Sequence, residues 1–193
     1  MPKKDALAAS QLRRLLQEAT SPRDKLILAL AGILALRTCE ISRLNQSHVV
    51  RAKDKTPVAL KLIGKGHTLA DQALIIPKEL RHLIPASPGP LVVSHRKQNL
   101  GGRLSPHGIQ WIIRQHLDRA GLSSPRITPH ALRHTAARIA LEAGADLEQI
   151  RLFLRHKDQA TTLAYLQLVA DHLPPSTESL VAHIVLPIPG DLP

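Results

Sequence analysis

The chain has 193 residues, 44% hydrophobic and 21% charged, which suits one domain with a substantial core. Its 26 Lys and Arg against 15 Asp and Glu give a net charge of +11, so a polyanion such as nucleic acid is the first expected partner. A single cysteine excludes an internal disulfide and a Cys-based zinc site, and 2% aromatic residues argue against single-strand binding by base stacking. A cytoplasmic protein that binds duplex phosphates is favoured; a basic protein whose charge only keeps it soluble is the alternative.

The N-terminal part of the chain predicts three helices. Ser10 is a candidate N-cap for a short amphipathic helix, and Ser21-Pro22 is a good start for a second helix that reaches about Leu36. Apolar residues cover nearly every face of this second helix, so we expect it to be buried. Its apolar run is shorter than the roughly 20 residues that cross a bilayer, so no membrane span is expected. A third, short helix is predicted over residues 38–44.

The middle of the chain changes character. Residues 48–76 contain three short runs rich in β-branched residues, separated by turn-forming segments, which predicts a small three-stranded antiparallel sheet. Helix is expected again over residues 78–83. A clear helix opens at Ser105-Pro106 and is closed by Gly121.

The last third again predicts helices. A Thr-Pro pair at 128–129 opens one that runs to Gly144, Asp146 caps the next, and residues 160–169 form a last one. The tail from residue 171 is rich in proline. The predicted fold class is therefore α+β and mainly helical, with one small sheet inserted early.

The stretch over residues 128–166 concentrates side chains that act on phosphates. His130 and Arg133 lie one helical turn apart, His156 follows, and Tyr165 is the only tyrosine of the chain. We interpret this stretch as the centre of a site that cuts DNA by forming a phosphotyrosyl bond.

These residues carry a resemblance to the tyrosine recombinases, or phage integrases, over residues 6–168. That family shows Gly-Leu-Arg-x-x-Glu, a hairpin Gly-Lys-Gly, His-x-Leu-Arg-His, Leu-Gly-His, and a tyrosine nine residues after the last histidine. The matching residues here, in order, are Ala35-Leu36-Arg37 with Glu40, Gly64-Lys65-Gly66, His130-Ala131-Leu132-Arg133-His134, Leu154-Arg155-His156 and Tyr165. Each motif is weak alone, but five in the right order are specific.

The resemblance implies catalytic roles that elementary chemistry supports. Arg37 and Arg133 would hold the non-bridging phosphate oxygens with forked guanidiniums, which lysine lacks. His130 would take or orient the proton of Tyr165, since a phenol of pKa about 10 is only roughly 0.1% ionised at neutral pH. His156 would donate a hydrogen bond to a phosphate oxygen.

Supporting roles follow from the same resemblance. Lys65, on a hairpin tip, would protonate the leaving 5′ oxygen; the ordinary alternative is a solvated turn lysine. Glu40 would hold Arg37 in place; a capping-box glutamate is its alternative. His134 would brace its helix or the neighbouring arginine. A core tyrosine is the alternative for Tyr165.

A metal site is not expected. His130 and His134 have a spacing that zinc ligands also use, but the glutamate of His-Glu-x-x-His and any thiolate partners are missing. No metal, no other cofactor and no ATP are therefore predicted.

The chain departs from the family pattern at three positions. Ala35 replaces the usual glycine, Ala131 replaces a common aspartate, and Arg155 replaces the glycine of Leu-Gly-His. None of these changes removes a reacting group. Arg155 would crowd the phosphate or add a DNA contact.

Further DNA contacts are predicted outside the cleavage site. His107, Gln110 and Arg114 lie on one side of the helix from Pro106 and suit a major groove, with a solvated face as the equal alternative. Lys53, Lys55 and Lys61, around the sheet, would contact phosphates without reading sequence.

Residues 1–170 are expected to form the catalytic domain. No N-terminal DNA-clamping domain of the kind larger members carry is expected, so the chain is either a fragment or resembles the short recombinases. The tail, residues 171–193, contains an apolar patch that would either dock on a neighbouring protomer, as an exchanged segment, or fold back on its own core. The implied partners are double-stranded DNA and further copies of the chain, as a dimer or tetramer on DNA. Accessory DNA-bending proteins are compatible with the resemblance, and no association with a membrane is expected. The implied location is cytoplasmic and nucleoid-associated.

The predicted function is that of a site-specific DNA recombinase or integrase. Tyr165 would form a 3′-phosphotyrosyl link, and a 5′ hydroxyl from another strand would reseal the DNA. Two alternatives stay open. One is a relaxing enzyme like the type IB topoisomerases, which reseals the same strand. The other is a catalytically idle DNA-binding regulator that kept the fold.

Overall fold

The computed structural model describes residues 6–62 and 72–155, which contain six α-helices and one three-stranded sheet. The helices are α1 Ala9–Glu18, α2 Pro22–Gly32, α3 Thr38–Arg43, α4 Pro106–Arg119, α5 Ala131–Glu142 and α6 Leu147–Leu154. The strands are β1 Val49–Arg51, β2 Pro57–Leu62 and β3 Gln72–Ile75, and short 3-10 turns occupy Gln46–His48, Lys78–Leu83 and Lys97–Asn99. The prediction of a mainly helical α+β fold with one small sheet is confirmed.

Helix α2 lies at the centre of the core. Its residues 26–32 are all buried, and it contacts α1, α3, α4 and α5. The helix was predicted to reach Leu36, but it ends at Gly32. Leu36 N instead donates to Leu30 O at 2.9 Å, and Ala35 adopts a φ of +53°, so the apolar run continues as a buried turn. Apolar character marks burial on both sides of this boundary and therefore could not reveal it.

Local capping signals set several helix ends as predicted. The Ser105 hydroxyl accepts a hydrogen bond from Gly108 N at 3.1 Å at the start of α4, and Gly121 follows its end with a φ of +62°. Asp146 Oδ1 accepts from Gln149 N at 2.8 Å at the start of α6. These are the backbone donors and the left-handed turn that helix termini require.

Two predicted helix starts were wrong by one or two residues. Helix α1 begins at Ala9, so Ser10 lies inside it, and the Gln11 side chain accepts from Ala8 N at 2.8 Å instead. Helix α5 begins only at Ala131, with His130 as its N-cap. The predicted helix over residues 78–83 is a 3-10 turn.

The sheet has the strand order β1-β2-β3, with both pairs antiparallel, as predicted. Leu60 pairs with Val49 on one side and with Leu74 on the other. Along β2, Leu60 and Leu62 are buried while Lys61 between them is exposed, which is the alternation of a half-buried strand. Lys61 therefore lies on the outward face of the sheet.

The segment before α1 is tied to α5. The Thr135 hydroxyl donates to Ala131 O at 2.9 Å and accepts from Leu7 N at 2.9 Å, and all these atoms are buried. The predicted helix over residues 160–169 and the tail from 171 lie outside the described residues. Among the helices that are described, none has the length and apolar character needed to cross a membrane.

Candidate active site

Arg37 is placed by the buried turn that follows α2. It is the N-cap residue of α3, and its backbone N–H donates to Glu40 Oε2 at 2.8 Å. Its guanidinium Nη1 donates to Glu40 Oε1 at 2.9 Å. Glu40 therefore caps the helix and holds the arginine at the same time. With 37% of its side chain exposed, Arg37 remains accessible to a ligand.

Arg133 reaches the same place from α5. It is only 2% exposed, and its two terminal nitrogens donate to the backbone carbonyls of Ala35 and Leu154. A buried guanidinium needs several acceptors to offset its desolvation, and these two carbonyls supply them. Arg133 thus links the turn that carries Arg37 to the last residues of α6.

The imidazole rings of His130 and His134 contact each other at the start of α5. Their ring centroids lie 5.0 Å apart with an interplanar angle of 85°, which is an edge-to-face arrangement. His130 is exposed and His134 is half-buried. The bracing role of His134 towards its helix or the arginine, and the catalytic role of His130, stay predictions.

Arg37, His130 and Arg133 line one cleft of about 360 Å³. Its lining residues come from three parts of the chain: Leu36, Arg37, Thr38 and Cys39; Gln110 and Arg114; and Thr128, Pro129, His130 and Arg133. Two guanidiniums and an imidazole that the motifs singled out are thereby brought together from positions almost 100 residues apart. A cleft of this chemistry suits a phosphate group.

Helix α4 supplies one side of the cleft. Gln110 and Arg114 line it, and Gln110 Nε2 donates to the Thr38 hydroxyl at 3.5 Å. His107 is exposed near the N-terminus of the same helix. All three were predicted to contact DNA, and their exposure is compatible with that prediction without testing it. Sequence reasoning did not single out Thr38 or Cys39, since neither carries a recognisable chemical pattern.

The three lysines predicted to contact phosphates, Lys53, Lys55 and Lys61, are all exposed. Lys53 lies in the turn after β1, and Lys61 points outward from β2. Lys65, His156 and Tyr165 lie outside the described residues, so their catalytic roles stay predictions. Within the described part of the chain, no group of three or more His, Cys, Asp and Glu is arranged to hold a metal ion.

Arg155 occupies an unexpected position. It ends α6 with a left-handed backbone, and its side chain is only 8% exposed. Its Nη2 donates to Glu40 Oε2 and to Ala35 O, both at 3.0 Å. The guanidinium is turned inward onto the residues that hold Arg37 and Arg133, and the DNA contact of Arg155 stays a prediction.

The electrostatics of this group favour an ionised Glu40. Burial by itself raises the pKa of the Glu40 carboxyl, but Arg155, the hydrogen bond from the Arg37 backbone, and the charges of Arg37 and Arg133 together hold that pKa below its ordinary value. Burial lowers the pKa of Arg155, and Arg37 acts in the same direction while Glu40 opposes it. Three guanidiniums thus surround one carboxylate, which leaves an excess of positive charge.

The fold has counterparts among solved DNA recombinases. The catalytic domain of bacteriophage HP1 integrase matches with a TM-score of 0.64 at 22% identity, over 86% of this chain and 89% of that chain. The XerH site-specific recombinase bound to palindromic difH substrate, in a post-cleavage complex, matches with a TM-score of 0.68 at 18% identity, over 86% of this chain and 50% of that chain. The fold is that of a tyrosine recombinase catalytic domain.

The sequence then identifies the family. The family model of the phage integrase family matches residues 5–172, and the chain belongs to that family. Tyrosine recombinase XerA of Thermococcus onnurineus is 30% identical over 177 residues, which cover 87% of this chain and 60% of that protein. XerA of Pyrococcus furiosus is 33% identical over 159 residues, covering 81% and 54%. The chain therefore spans little more than half the length of these relatives.

Proposed function

We propose that this chain is the catalytic part of a site-specific DNA recombinase. It would cleave duplex DNA by attack of the Tyr165 hydroxyl on a phosphodiester, forming a 3′-phosphotyrosyl bond and releasing a 5′ hydroxyl. Attack by the 5′ hydroxyl of another strand would then restore the phosphodiester and free the tyrosine. The ester keeps the energy of the broken bond, so the reaction needs neither ATP nor a metal ion.

The observation that carries this proposal is the cleft shared by Arg37, His130 and Arg133. During displacement the phosphorus becomes pentavalent and its equatorial oxygens gain negative charge. Two forked cations fixed in advance stabilise that charge more than they stabilise the ground state, which is the condition for a faster reaction. Membership of the phage integrase family supports the assignment of this chemistry.

Each remaining residue has a proposed role at a stated atom. His130 accepts or orients the proton of the Tyr165 hydroxyl, and His156 donates a hydrogen bond to a non-bridging oxygen. Lys65 protonates the departing 5′ oxygen. Glu40, through its two hydrogen bonds with Arg37, keeps the guanidinium of that residue aimed into the cleft.

The proposed substrate is double-stranded DNA, held by a strongly basic surface. Gln110 and Arg114 would approach the bases beside the cleft, while Lys53 and Lys61 would contact phosphates. Exchange of strands requires at least two copies of the chain on DNA, so we propose a dimer or tetramer there, with residues 171–193 as the exchanged segment. Accessory DNA-bending proteins fit this assembly. A cytoplasmic, nucleoid-associated location follows from the substrate.

The test is the covalent adduct. The protein is incubated with nicked duplexes drawn from its own genomic neighbourhood, in which the nick traps the cleaved state, and denaturing gels are searched for a shifted, protease-sensitive band. Tyr165→Phe should bind the duplex as the wild type does and form no adduct. An undiminished adduct in the Phe variant would refute the assignment of the nucleophile.

Other outcomes distinguish the alternatives. Relaxation of supercoiled DNA by the wild type, without recombination between two sites, would instead indicate an activity like that of type IB topoisomerases. Duplex binding of ordinary affinity with no adduct from any tested duplex would indicate a DNA-binding regulator.

A further inference from the structure

Among the described residues, three that carry side chains adopt backbone conformations that favour glycine: Ala35, Lys55 and Arg155, of which Ala35 and Arg155 contact each other. Ala35 has a φ of +53° and Arg155 has a φ of +54°, both in the left-handed region. A Cβ atom costs free energy in this region because it lies too close to the following carbonyl oxygen. Both residues also stand where the motifs of the resembled family have glycine. Some other interaction must therefore compensate for the conformation that each residue adopts.

The two residues are joined by a hydrogen bond. Arg155 Nη2 donates to the carbonyl oxygen of Ala35 at 3.0 Å, although the two residues are 120 positions apart in sequence. Arg133 donates to the same carbonyl oxygen. Two guanidiniums therefore fix the orientation of the peptide group that immediately follows the left-handed Ala35.

Arg155 also contacts the acceptor that holds Arg37. Its Nη2 lies 3.0 Å from Glu40 Oε2, the oxygen that accepts from Arg37 N at 2.8 Å. The other oxygen, Oε1, accepts from Arg37 Nη1 at 2.9 Å. Arg155 thus bonds to one acceptor of Arg133, the Ala35 carbonyl, and to one acceptor of Arg37, the Glu40 carboxylate.

We propose that Arg155 is a positioning residue that holds Ala35 in its left-handed conformation and so fixes Arg37 relative to Arg133. The proposal rests on the proposed function of those two arginines in phosphodiester cleavage. Arg155 Nη2 donates both of the bonds to Ala35 and Glu40, and Nη1 donates to Phe153 O at 3.1 Å, so the planar guanidinium reaches three acceptors in a geometry that a lysine does not reproduce. Arg155 acts on the cleavage rate through the other two arginines rather than by touching DNA.

Burial supports positioning over DNA contact. The Arg155 side chain is 8% exposed, and within the described residues its Nε is buried without a hydrogen-bond partner. The residues that line the cleft include Arg37 and Arg133 but not Arg155, whose terminal nitrogens donate to Ala35, Glu40 and Phe153 of the protein itself. The cost of burying the Arg155 charge is offset by the Glu40 carboxylate. Removing one partner would leave the other as an uncompensated buried charge.

The test is a double-mutant cycle on Ala35→Gly and Arg155→Gly, with Arg155→Lys as a third variant. For each protein, the single-turnover rate of adduct formation on a nicked duplex and the dissociation constant for that duplex are measured. Arg155→Gly alone should slow adduct formation by about tenfold and leave the dissociation constant within about twofold. Arg155→Lys keeps the charge without the fork and should also be slow.

The second background gives the decisive comparison. In the Ala35→Gly variant, the glycine at position 35 adopts a positive φ without the hydrogen bond from Arg155. Adding Arg155→Gly to this variant should therefore slow adduct formation by only about threefold. Equal loss factors in both backgrounds would show that the two residues act independently and would overturn the proposal. A weaker dissociation constant with an unchanged single-turnover rate would instead identify Arg155 as a DNA contact.

Melting temperatures of the four proteins of the cycle separate this proposal from the proposed function. These four are the wild type, Ala35→Gly, Arg155→Gly and the double variant. We expect Arg155→Gly to lower the melting temperature less in the Ala35→Gly background than in the wild-type background. This measurement needs no DNA. A wild type that forms no adduct would refute the proposed function, while additive shifts in melting temperature would refute the coupling of Ala35 and Arg155.

Discussion

At the scale of single residues, three arginines at the cleft share two hydrogen-bond acceptors. Arg133 and Arg155 share the carbonyl oxygen of Ala35, while Arg37 and Arg155 share the carboxylate of Glu40. Because the terminal nitrogens of Arg133 and Arg155 donate to fixed acceptors of the protein, the positions of these two guanidiniums are set before any ligand arrives. The substitutions that test this arrangement must therefore change the fork of an arginine while keeping its charge.

Arg37→Lys is the first such substitution. The backbone hydrogen bond from residue 37 to Glu40 is unaffected by the change, so the helix cap remains, but the bidentate grip on phosphate is lost. We expect adduct formation to fall by about a hundredfold while duplex affinity stays within about threefold. Arg43→Lys, an exposed arginine at the end of the same helix, is the matched control. Equal rates for the two variants would contradict the role of Arg37.

Glu40 predicts a defined dependence of stability on pH. Its pKa in the folded protein lies below the ordinary value of 4.5, so the carboxylate stabilises the fold at pH values above 4.5. This stabilisation is lost as pH falls through the lowered pKa, because protonation then occurs in the folded state too. The difference in melting temperature between wild type and Glu40→Gln should be largest above pH 4.5 and shrink in more acidic solution. A difference that does not change with pH would show that the charge of Glu40 has no such effect.

At the scale of elements, α6 matters because its end meets the cleft. The carbonyl of Leu154, its last residue, accepts from Arg133, and Arg155 follows directly. The helix is only eight residues long, too short to be stable by itself, so it depends on its cap and on packing of Ile150 and Leu154 against α5. The start of α6 is therefore coupled to the site at its other end.

Asp146→Ala should expose this dependence. Loss of the hydrogen bond to Gln149 N is expected to lower the free energy of unfolding by about 1 kcal/mol, measured by urea denaturation. Asp146→Asn keeps an acceptor at the N-cap and should cost no more than about 0.3 kcal/mol. Equal destabilisation in the two variants would show that the charge of Asp146, rather than its capping bond, stabilises the helix.

At the scale of the whole molecule, a net charge of +11 predicts binding that depends strongly on salt. Each phosphate contact releases counterions and contributes about 0.9 to the slope of log affinity against log salt concentration. The double substitution Lys53→Ala with Lys61→Ala should therefore lower that slope by about 1 to 2 units. Arg138→Ala removes a charge that is already paired with Glu142, so its slope should match the wild type. An unchanged slope in the lysine variant would remove both lysines from the DNA interface.

The sequence by itself determined the family, the element order and the identity of the cleft arginines. Motif spacing places Arg37 and Arg133 in recognisable contexts, and period-two alternation around Lys61 marks a strand with one buried face. Serine, aspartate and glycine at helix ends mark boundaries through local hydrogen bonds that need no tertiary partner. The end of α2 had no such mark, because buried turns and buried helices are equally apolar.

Only the tertiary structure decided where the Arg155 side chain lies. In the sequence, Arg155 is a charged residue that replaces glycine in a motif of the resembled family. A side chain at such a position can lie against DNA or inside the protein, and the sequence does not distinguish the two. Its direction depends on two acceptors, Ala35 and Glu40, more than 100 residues away in the chain. Local sequence carries no information about a carbonyl that becomes available only when a distant turn adopts a positive φ. Folding brings that turn, α5 and the end of α6 together, and the balance of charges in the cleft follows from that contact.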